Sequence, residues 1–272
     1  MSEGRGGRLQ RLPDAPMLRR SHPALLVVAL ALAGCFDVVS TVTVRPDGTA
    51  LVRDSVAFTG AMGALLDESM QPDKGALWRR AAALGEGVAP VGVVETDAGY
   101  VALYAVPDVG ALRYSAPDFD LSEDAGDATV AGEAFDFTFA FEPGDPATLR
   151  IVVPDDEGGA EDEVIRQPSA QDLAEAEQAI GFLRASLGDA RVALRVEVEG
   201  SVVESDAAFR DGSVVTLAEF AFGDLLDALA ASPEALTADG PPDNVRALLS
   251  AEAGVRIQDP GTVTVRFAPP RP

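Results

Sequence analysis

Short alternating runs joined by turn residues constrain the fold of this chain more than any other feature. Apolar and polar residues alternate with a period of two over 36–58, 91–106 and 135–153, as in strands that bury one face. Glycine, proline and aspartate in the connecting segments are typical of hairpin turns. The five turns predicted in this way are Arg45–Gly48, Thr96–Gly99, Pro143–Asp145, Asp211–Gly212 and Asp259–Gly261. Neighbouring strands are therefore expected to be antiparallel.

Helical periodicity is confined to a few segments. Apolar residues spaced three and four apart from Leu173 to Leu187 predict an amphipathic helix over 170–187. Shorter helices are predicted within 60–87, 221–231 and 243–252. Trp78 lies in the first of these segments and is expected in the core rather than in a ligand platform, because tryptophan is buried on average. Together these elements predict an α+β fold, with a mainly antiparallel sheet of hairpins and helices packed on one side.

The segment before Cys35 has the layout of a secretory signal. Arg19 and Arg20 precede an uncharged apolar run from Ala24 to Gly34. That run is shorter than the ~20 residues that span a bilayer as a helix. A core helix with a buried cysteine is the alternative.

The four residues that end this run resemble the bacterial lipobox. They are Leu32, Ala33, Gly34 and Cys35. The resemblance implies that residues 1–34 are a lipoprotein signal peptide that is removed, and that Cys35 carries a diacylglycerol thioether with two or three acyl chains in all. The mature domain, 35–272, would then be lipid-anchored on the extracytoplasmic face of a membrane in the cell envelope. Within it, the acidic run 155–163 predicts two lobes divided near 155–168.

The charge of the chain excludes one class of partner. The sequence has 21 basic and 44 acidic residues and a formal charge of −23. Without residues 1–34, 16 basic and 42 acidic residues remain, a formal charge of −26. Such a surface repels phosphate backbones, so we expect no nucleic-acid partner. It also disfavours electrostatic docking onto anionic lipids, so the membrane should be held through the acyl chains.

The residue inventory disfavours catalysis. The one histidine, His22, lies in the predicted signal and the one cysteine is Cys35. The mature domain would therefore lack the parts of a Ser-His-Asp or Cys-His site and of a His- or Cys-based zinc site. We predict a non-enzymatic binding domain with no cofactor and no metal.

Two alternatives to a binding domain remain open. One is a hydrolase of an envelope polymer that uses two carboxylates. The other is a structural module stiffened by calcium. An EF-hand starting at Asp118 would fail, because Glu123 and Thr129 stand where glycine and glutamate are needed.

A phenylalanine stripe is the candidate apolar surface. Its four members fall on one face of a predicted strand and are Phe135, Phe137, Phe139 and Phe141. Such a stripe could line a cavity for an apolar ligand, or it could be the inner face of a sheet.

Three segments resemble the LppM-like mycobacterial lipoproteins. They are Cys35 with DVVSTVTVRPDGTALV (37–52), LRVEVEGSVVESDAAFRDGSVVTL (194–217) and TVTVRF (262–267). The resemblance implies a mixed α/β extracytoplasmic domain that binds an envelope lipid or glycolipid. A protein partner is the other expectation, since no binding residue of that family can be matched position by position.

Overall fold

The computed structural model describes residues 36–58, 71–115, 136–154, 169–231 and 255–270. These residues form thirteen strands, three α-helices and one short 3-10 turn, Val109–Ala111. The strands are β1 (Phe36–Val44), β2 (Ala50–Phe58), β3 (Ala89–Thr96), β4 (Gly99–Val106), β5 (Arg113–Tyr114), β6 (Phe137–Glu142), β7 (Ala147–Val153), β8 (Arg191–Val198), β9 (Ser201–Ser205), β10 (Arg210–Asp211), β11 (Val214–Ala221), β12 (Arg256–Ile257) and β13 (Gly261–Ala268). The helices are α1 (Lys74–Leu84), α2 (Ala170–Leu187) and α3 (Phe222–Ala231).

The strands are arranged in two sheets. The larger sheet has eight strands in the order β10-β11-β8-β1-β2-β4-β3, with β12 also paired to β11. The smaller sheet has five strands in the order β5-β6-β7-β13-β9. Neighbouring described strands are antiparallel except β1 and β8, which run parallel from the Asp37–Arg191 pair to the Val44–Val198 pair.

Four of the five predicted hairpin turns are confirmed. They connect β1 to β2, β3 to β4, β6 to β7, and β10 to β11. The turn at Asp259–Gly261 is not a hairpin, because it connects strands of different sheets. β12 pairs with β11 in the larger sheet, whereas β13 pairs with β7 and β9 in the smaller one.

A glycine allows the chain to pass from the larger sheet to the smaller one between β8 and β9. Gly200 has φ 150°, in the left-handed half of the map that favours glycine. A Cβ atom at this position would lie 2.1 Å from the carbonyl oxygen of Ala268 at the end of β13. No side chain fits at that distance.

Both sheets contribute to one apolar core. The larger sheet supplies Val42, Val52 and Val196 from its three central strands, and the smaller sheet supplies Leu149 and Val265. All five side chains are fully buried. The alternation seen in the sequence therefore reflects two sheets that bury their inner faces against each other.

Helix α1 closes one side of this sandwich. It contacts β3, the edge strand of the larger sheet, and β5, the edge strand of the smaller one. The carboxylate of Asp73 caps its first turn by accepting a hydrogen bond from the Ala76 N–H at 2.6 Å. The apolar stripe of the helix, Leu77, Ala81 and Leu84, joins the core. Two sheet edges are thus covered by one helix.

The expected α+β fold with helices packed on one side of a sheet is wrong, and the fold is mainly β. The described residues contain thirteen strands against three helices. The face expected to carry helices is covered by β6, β7 and β13 of the smaller sheet. Alternation shows that a strand buries one face, but it does not show whether a helix or a second sheet covers that face.

The division into lobes near 155–168 lies outside the described residues and stays a prediction. Strands on either side of it pair within both sheets, β1 with β8 and β7 with β13. We expect that cutting a protease site inserted between Gly158 and Gly159 leaves two fragments that co-elute on native size exclusion and separate only in urea. The same insertion left uncut is the control. Separation of the fragments without denaturant would contradict this pairing.

Candidate functional site

The end of the larger sheet at which β1 begins is the described part of the chain closest in sequence to Cys35. Phe36 is the first residue of β1 and follows Cys35 directly. β8 is parallel to β1, and its first residue, Arg191, pairs with Asp37 at the same end. Because β11 is antiparallel to β8, its last residue, Ala221, also lies here. We call this the proximal end.

Phenylalanines gather at the proximal end. Phe58 is the cross-strand partner of Phe36. The Phe222 ring meets the Phe36 ring edge-on, with centroids 6.2 Å apart and an interplanar angle of 60°. Edge-to-face pairs of this kind contribute about 0.5–1.5 kcal/mol beyond their burial. All three residues are half-buried, so the proximal end has an apolar, partly accessible surface.

Helices α2 and α3 pack on each other and are tied to the same end. Their small apolar cluster is built on Ile180, Leu226 and Leu229. The Phe222 N–H donates to the Ala190 carbonyl at 2.9 Å, which joins the start of α3 to the residue before β8. A Cβ atom at Gly223 would lie 2.5 Å from the carbonyl oxygen of Gly188. The two connections can approach this closely only because position 223 is glycine.

Three arginines surround one buried carboxylate in the larger sheet. Glu219 of β11 is ion-paired with Arg191, while Arg195 and Arg256 lie 3.5 and 3.9 Å from its oxygens. The arginine side chains are partly exposed, whereas Glu219 is buried. With three arginines and one glutamate, the cluster is cationic in an otherwise acidic chain. Its arginines compensate the buried negative charge of Glu219.

A second charged cluster is buried between α1 and the two sheets. Ser40 Oγ donates to Asp54 Oδ1 at 2.7 Å, and Arg80 Nε donates to Asp54 Oδ2 at 3.1 Å. Arg80 Nη1 donates to the Ser115 carbonyl at 3.1 Å, and its guanidinium carbon lies 5.0 Å from the centroid of the Tyr114 ring. Arg80 therefore joins α1 to β2 of the larger sheet and to β5 of the smaller one.

The three tyrosines of the chain lie at this cluster. Burial raises the pKa of Tyr100, Tyr104 and Tyr114, and the carboxylate of Asp54 raises each pKa further. The pKa of Tyr104 reaches about 12. Burial is the largest single influence on the pKa of Arg80 and lowers it. The attraction of Asp54, the hydrogen bond to it and the neighbouring Tyr114 and Tyr104 together outweigh burial, so the net shift of this pKa is upward. The tyrosines thus stay neutral and Arg80 charged at physiological pH, which favours a structural role over proton transfer.

The residues predicted from the sequence divide into two groups. Leu32, Ala33, Gly34, Cys35 and Phe135 lie outside the described residues. Phe137 and Phe139 are core residues, with 1% and 4% of their surface exposed. Phe141 packs against the same core, with its ring centroid 6.4 Å from that of Phe267. These positions are those of an inner sheet face, and ligand binding by the stripe stays a prediction.

The described part of the chain contains neither a cluster of metal-binding side chains nor a membrane-spanning helix. No group of three or more His, Cys, Asp or Glu side chains there could hold a metal ion. Among the described helices, none combines the length and apolarity that crossing a membrane requires. The segment considered for calcium, 118–129, lies outside the described residues.

Sequence reasoning missed two features. The first is the contact between Ser40 and Asp54. Both residues occupy inward positions on neighbouring strands, so the strand alternation could have predicted a polar pair that faces the core. Trp78 was expected in the core of an apolar helix, because tryptophan is buried on average. That expectation is wrong, since Trp78 is 59% exposed.

We expect the free energy of unfolding to fall as pH rises above about 10. The unfolded tyrosine ionises near 10, whereas folded Tyr104 stays protonated to about 12, so its stabilising contribution is present below pH 10 and is lost through that window. Urea unfolding at pH 8 and pH 11 should show this fall, and Tyr104→Phe should make it smaller. A folded protein whose tyrosinate absorbance rises near pH 10 would contradict the shift.

Two glycine substitutions test the packing at the proximal end. Gly223→Ala should destabilise the fold by ~1–3 kcal/mol, because its Cβ overlaps the Gly188 carbonyl. Gly181→Ala in α2 is the control. No atom lies within 4 Å of its added Cβ, so it should stabilise by ~0.5–1 kcal/mol. Equal urea midpoints for the two variants would show that α2 and α3 are not held this close.

Comparison with known proteins gives one weak structural likeness. No family model matches the chain, and no curated protein matches it. The NMR structure of the folded domain of LppM from Mycobacterium tuberculosis aligns with 87% of this chain and 93% of that chain. Identity is 14% and the TM-score is 0.31. The chain is therefore weakly similar in structure to an LppM domain, at a level that fixes neither a shared fold nor a site.

Proposed function

We propose that this chain is a lipoprotein anchored through Cys35, and that its β-sandwich is a non-catalytic binding domain at the extracytoplasmic surface of the membrane. The observation that carries the proposal is the position of β1. The first strand begins at Phe36, one residue after the cysteine that completes the lipobox.

This position leaves no linker between the proposed anchor and the domain. One residue extends at most ~3.3–3.6 Å, so acyl chains on Cys35 would hold the proximal end against the lipid headgroups. Phe36, Phe58 and Phe222 would then be the apolar side chains nearest the bilayer. The partner would be an envelope lipid or glycolipid, or a protein in the same layer.

The described acidic residues support binding over hydrolysis. A two-carboxylate hydrolase needs one acid free to protonate its substrate and another to attack or to activate water. The two buried carboxylates in the described ranges, Asp54 and Glu219, are each paired with arginine. With no histidine after residue 34, the commonest general base is missing too.

Membership of the LppM-like lipoproteins is part of this proposal. It rests on the three sequence segments at 35–52, 194–217 and 262–267. Parts of two of them pair at the centre of the larger sheet, since β1 (36–44) lies in the first segment and 194–198 of its parallel partner β8 lies in the second.

Substitution of the proposed lipid attachment site tests the anchor. Cys35→Ser should leave the precursor uncut or soluble, because the sulfur that accepts the diacylglycerol is gone. Gly34→Ala is the control, since it keeps a small residue before the cleavage point and should still give the anchored form. Intact mass and detergent phase partitioning distinguish these outcomes. Wild-type protein from its native host with a free Cys35 thiol would overturn the anchoring.

A further inference from the structure

The outward face of α1 combines the single tryptophan and the single lysine of the chain. Trp78 is 59% exposed. Lys74 precedes it by four residues, which places the two side chains next to each other on a helix. Arg79 is also exposed, and its Nη1 lies 3.3 Å from the position that a Cβ atom would take at Gly75, in the first turn of the helix. The opposite side of the helix is buried through Leu77 and Ala81.

The charges that α1 itself carries on its exposed face are positive. The helix Lys74–Leu84 contains no acidic residue. Asp73 precedes it, and its carboxylate is engaged as the cap of the first turn. Arg80 is turned inward to Asp54, so Lys74 and Arg79 are the cations that α1 presents to the outside.

The start of α1 lies towards the proximal end. Gln71 Nε2 donates to Glu95 Oε1 at 2.6 Å. Glu95 pairs with Tyr100, and Tyr100 with Val56. Val56 pairs with Val38, two residues along β1 from Phe36. At ~3.3 Å per strand residue, Glu95, which binds the segment just before the helix, is only about 7 Å from the level of Phe36.

Tryptophan flanked by cations is suited to a phospholipid surface. The indole ring prefers the headgroup region, where its apolar body is covered and its N–H stays hydrated. Lysine and arginine can reach the phosphates from the same position. An exposed apolar side chain of this size on a soluble surface usually marks a contact site.

The formal charge of −26 that remains without residues 1–34 opposes approach to an anionic surface but not contact once the domain is anchored. Screening limits charge effects to ~8 Å at physiological ionic strength, so only the residues on the contacting face matter at contact. The proposed anchor at Cys35 supplies the proximity that the rest of the surface would resist.

We propose that Lys74, Trp78 and Arg79 form a second membrane contact, with Trp78 in the headgroup region of a phospholipid bilayer and the two cations at lipid phosphates. This inference rests on the proposed anchoring through Cys35. Two contacts, one at the proximal end and one along α1, fix the orientation of the domain on the membrane.

The chain has one cysteine and one tryptophan, so it can be coupled at a single site and the emission comes from Trp78 alone. The chain 35–272, which contains every described strand and helix, is coupled through the Cys35 thiol to maleimide-lipid in vesicles. One set of vesicles is phosphatidylcholine, and the other is phosphatidylcholine with phosphatidylglycerol. Trp78 emission should shift to shorter wavelength and be quenched by brominated acyl chains, more strongly in the anionic vesicles.

Charge reversal at two matched positions tests whether the membrane contact is specific to the exposed face of α1. Arg79→Glu removes a cation from the contact face and should lower the ratio of lipid-contacting to water-exposed Trp78, read from its emission and quenching, by at least about fivefold in the anionic vesicles, the effect of one cation near an anionic surface. Arg210→Glu makes the same change of net charge at an exposed position on β10, at the far edge of the larger sheet, and should leave the emission unchanged. Far-UV circular dichroism confirms that both variants fold.

Two results would overturn the inference. One is Trp78 emission that stays that of a water-exposed indole on coupled vesicles, which would leave the face to a protein or sugar partner. The other is an equal response of Arg79→Glu and Arg210→Glu. Both results are independent of whether Cys35 is lipidated in the native host, which the intact mass decides.

Discussion

The buried ion pair between Arg80 and Asp54 is the interaction on which the arrangement of this domain depends. The side chain of Arg80 is 15% exposed and that of Asp54 12%, so both charges are largely removed from water and each needs the other. Through the one side chain of Arg80, α1 contacts β2 of the larger sheet and the Tyr114 ring and Ser115 carbonyl of the smaller one. Arg80 Nη2 is buried without a hydrogen-bond partner among the described residues, so the loss of Asp54 would leave the cation with less compensation still.

Fixing the inner side of α1 also fixes what the helix presents outward. With Arg80 and Leu77 held against the sheets, Trp78 and Arg79 can only face away from the core. The same sandwich places Phe36 and Phe222 at the end where β1 begins. The proximal end and the face of α1 are thus two apolar or cationic surfaces on an acidic domain, and the proposed anchor at Cys35 lies beside the first of them.

Local chemistry was readable from the sequence, and long-range pairing was not. Pro46 and Gly48 predict the β1–β2 hairpin, because the conformation of a tight turn depends on the residues within it. The parallel pairing of Val38 with Val192 joins segments that are distant in the sequence. Neither segment contains a pattern that indicates the other as its partner. The buried residues of α1, Leu77, Ala81 and Leu84, are spaced four and three apart. Trp78 does not fit this spacing, so the sequence could have predicted that it is exposed. The resemblance of Leu32 to Cys35 to a lipobox is a local pattern that the sequence alone displays. The pairing of Arg80 with Asp54 could not be predicted in this way, because that contact arises only when α1 docks.

A double-mutant cycle at Asp54 and Arg80 tests the central claim, that one buried ion pair holds α1 to both sheets. The free energy of unfolding is measured by urea for wild type, Asp54→Asn, Arg80→Met and the double variant. The account predicts that each single change costs ~3–5 kcal/mol, because it leaves a buried charge unpaired, and that the double change costs far less than the sum. Additive losses, or single losses below about 1 kcal/mol as for exposed pairs, would contradict it.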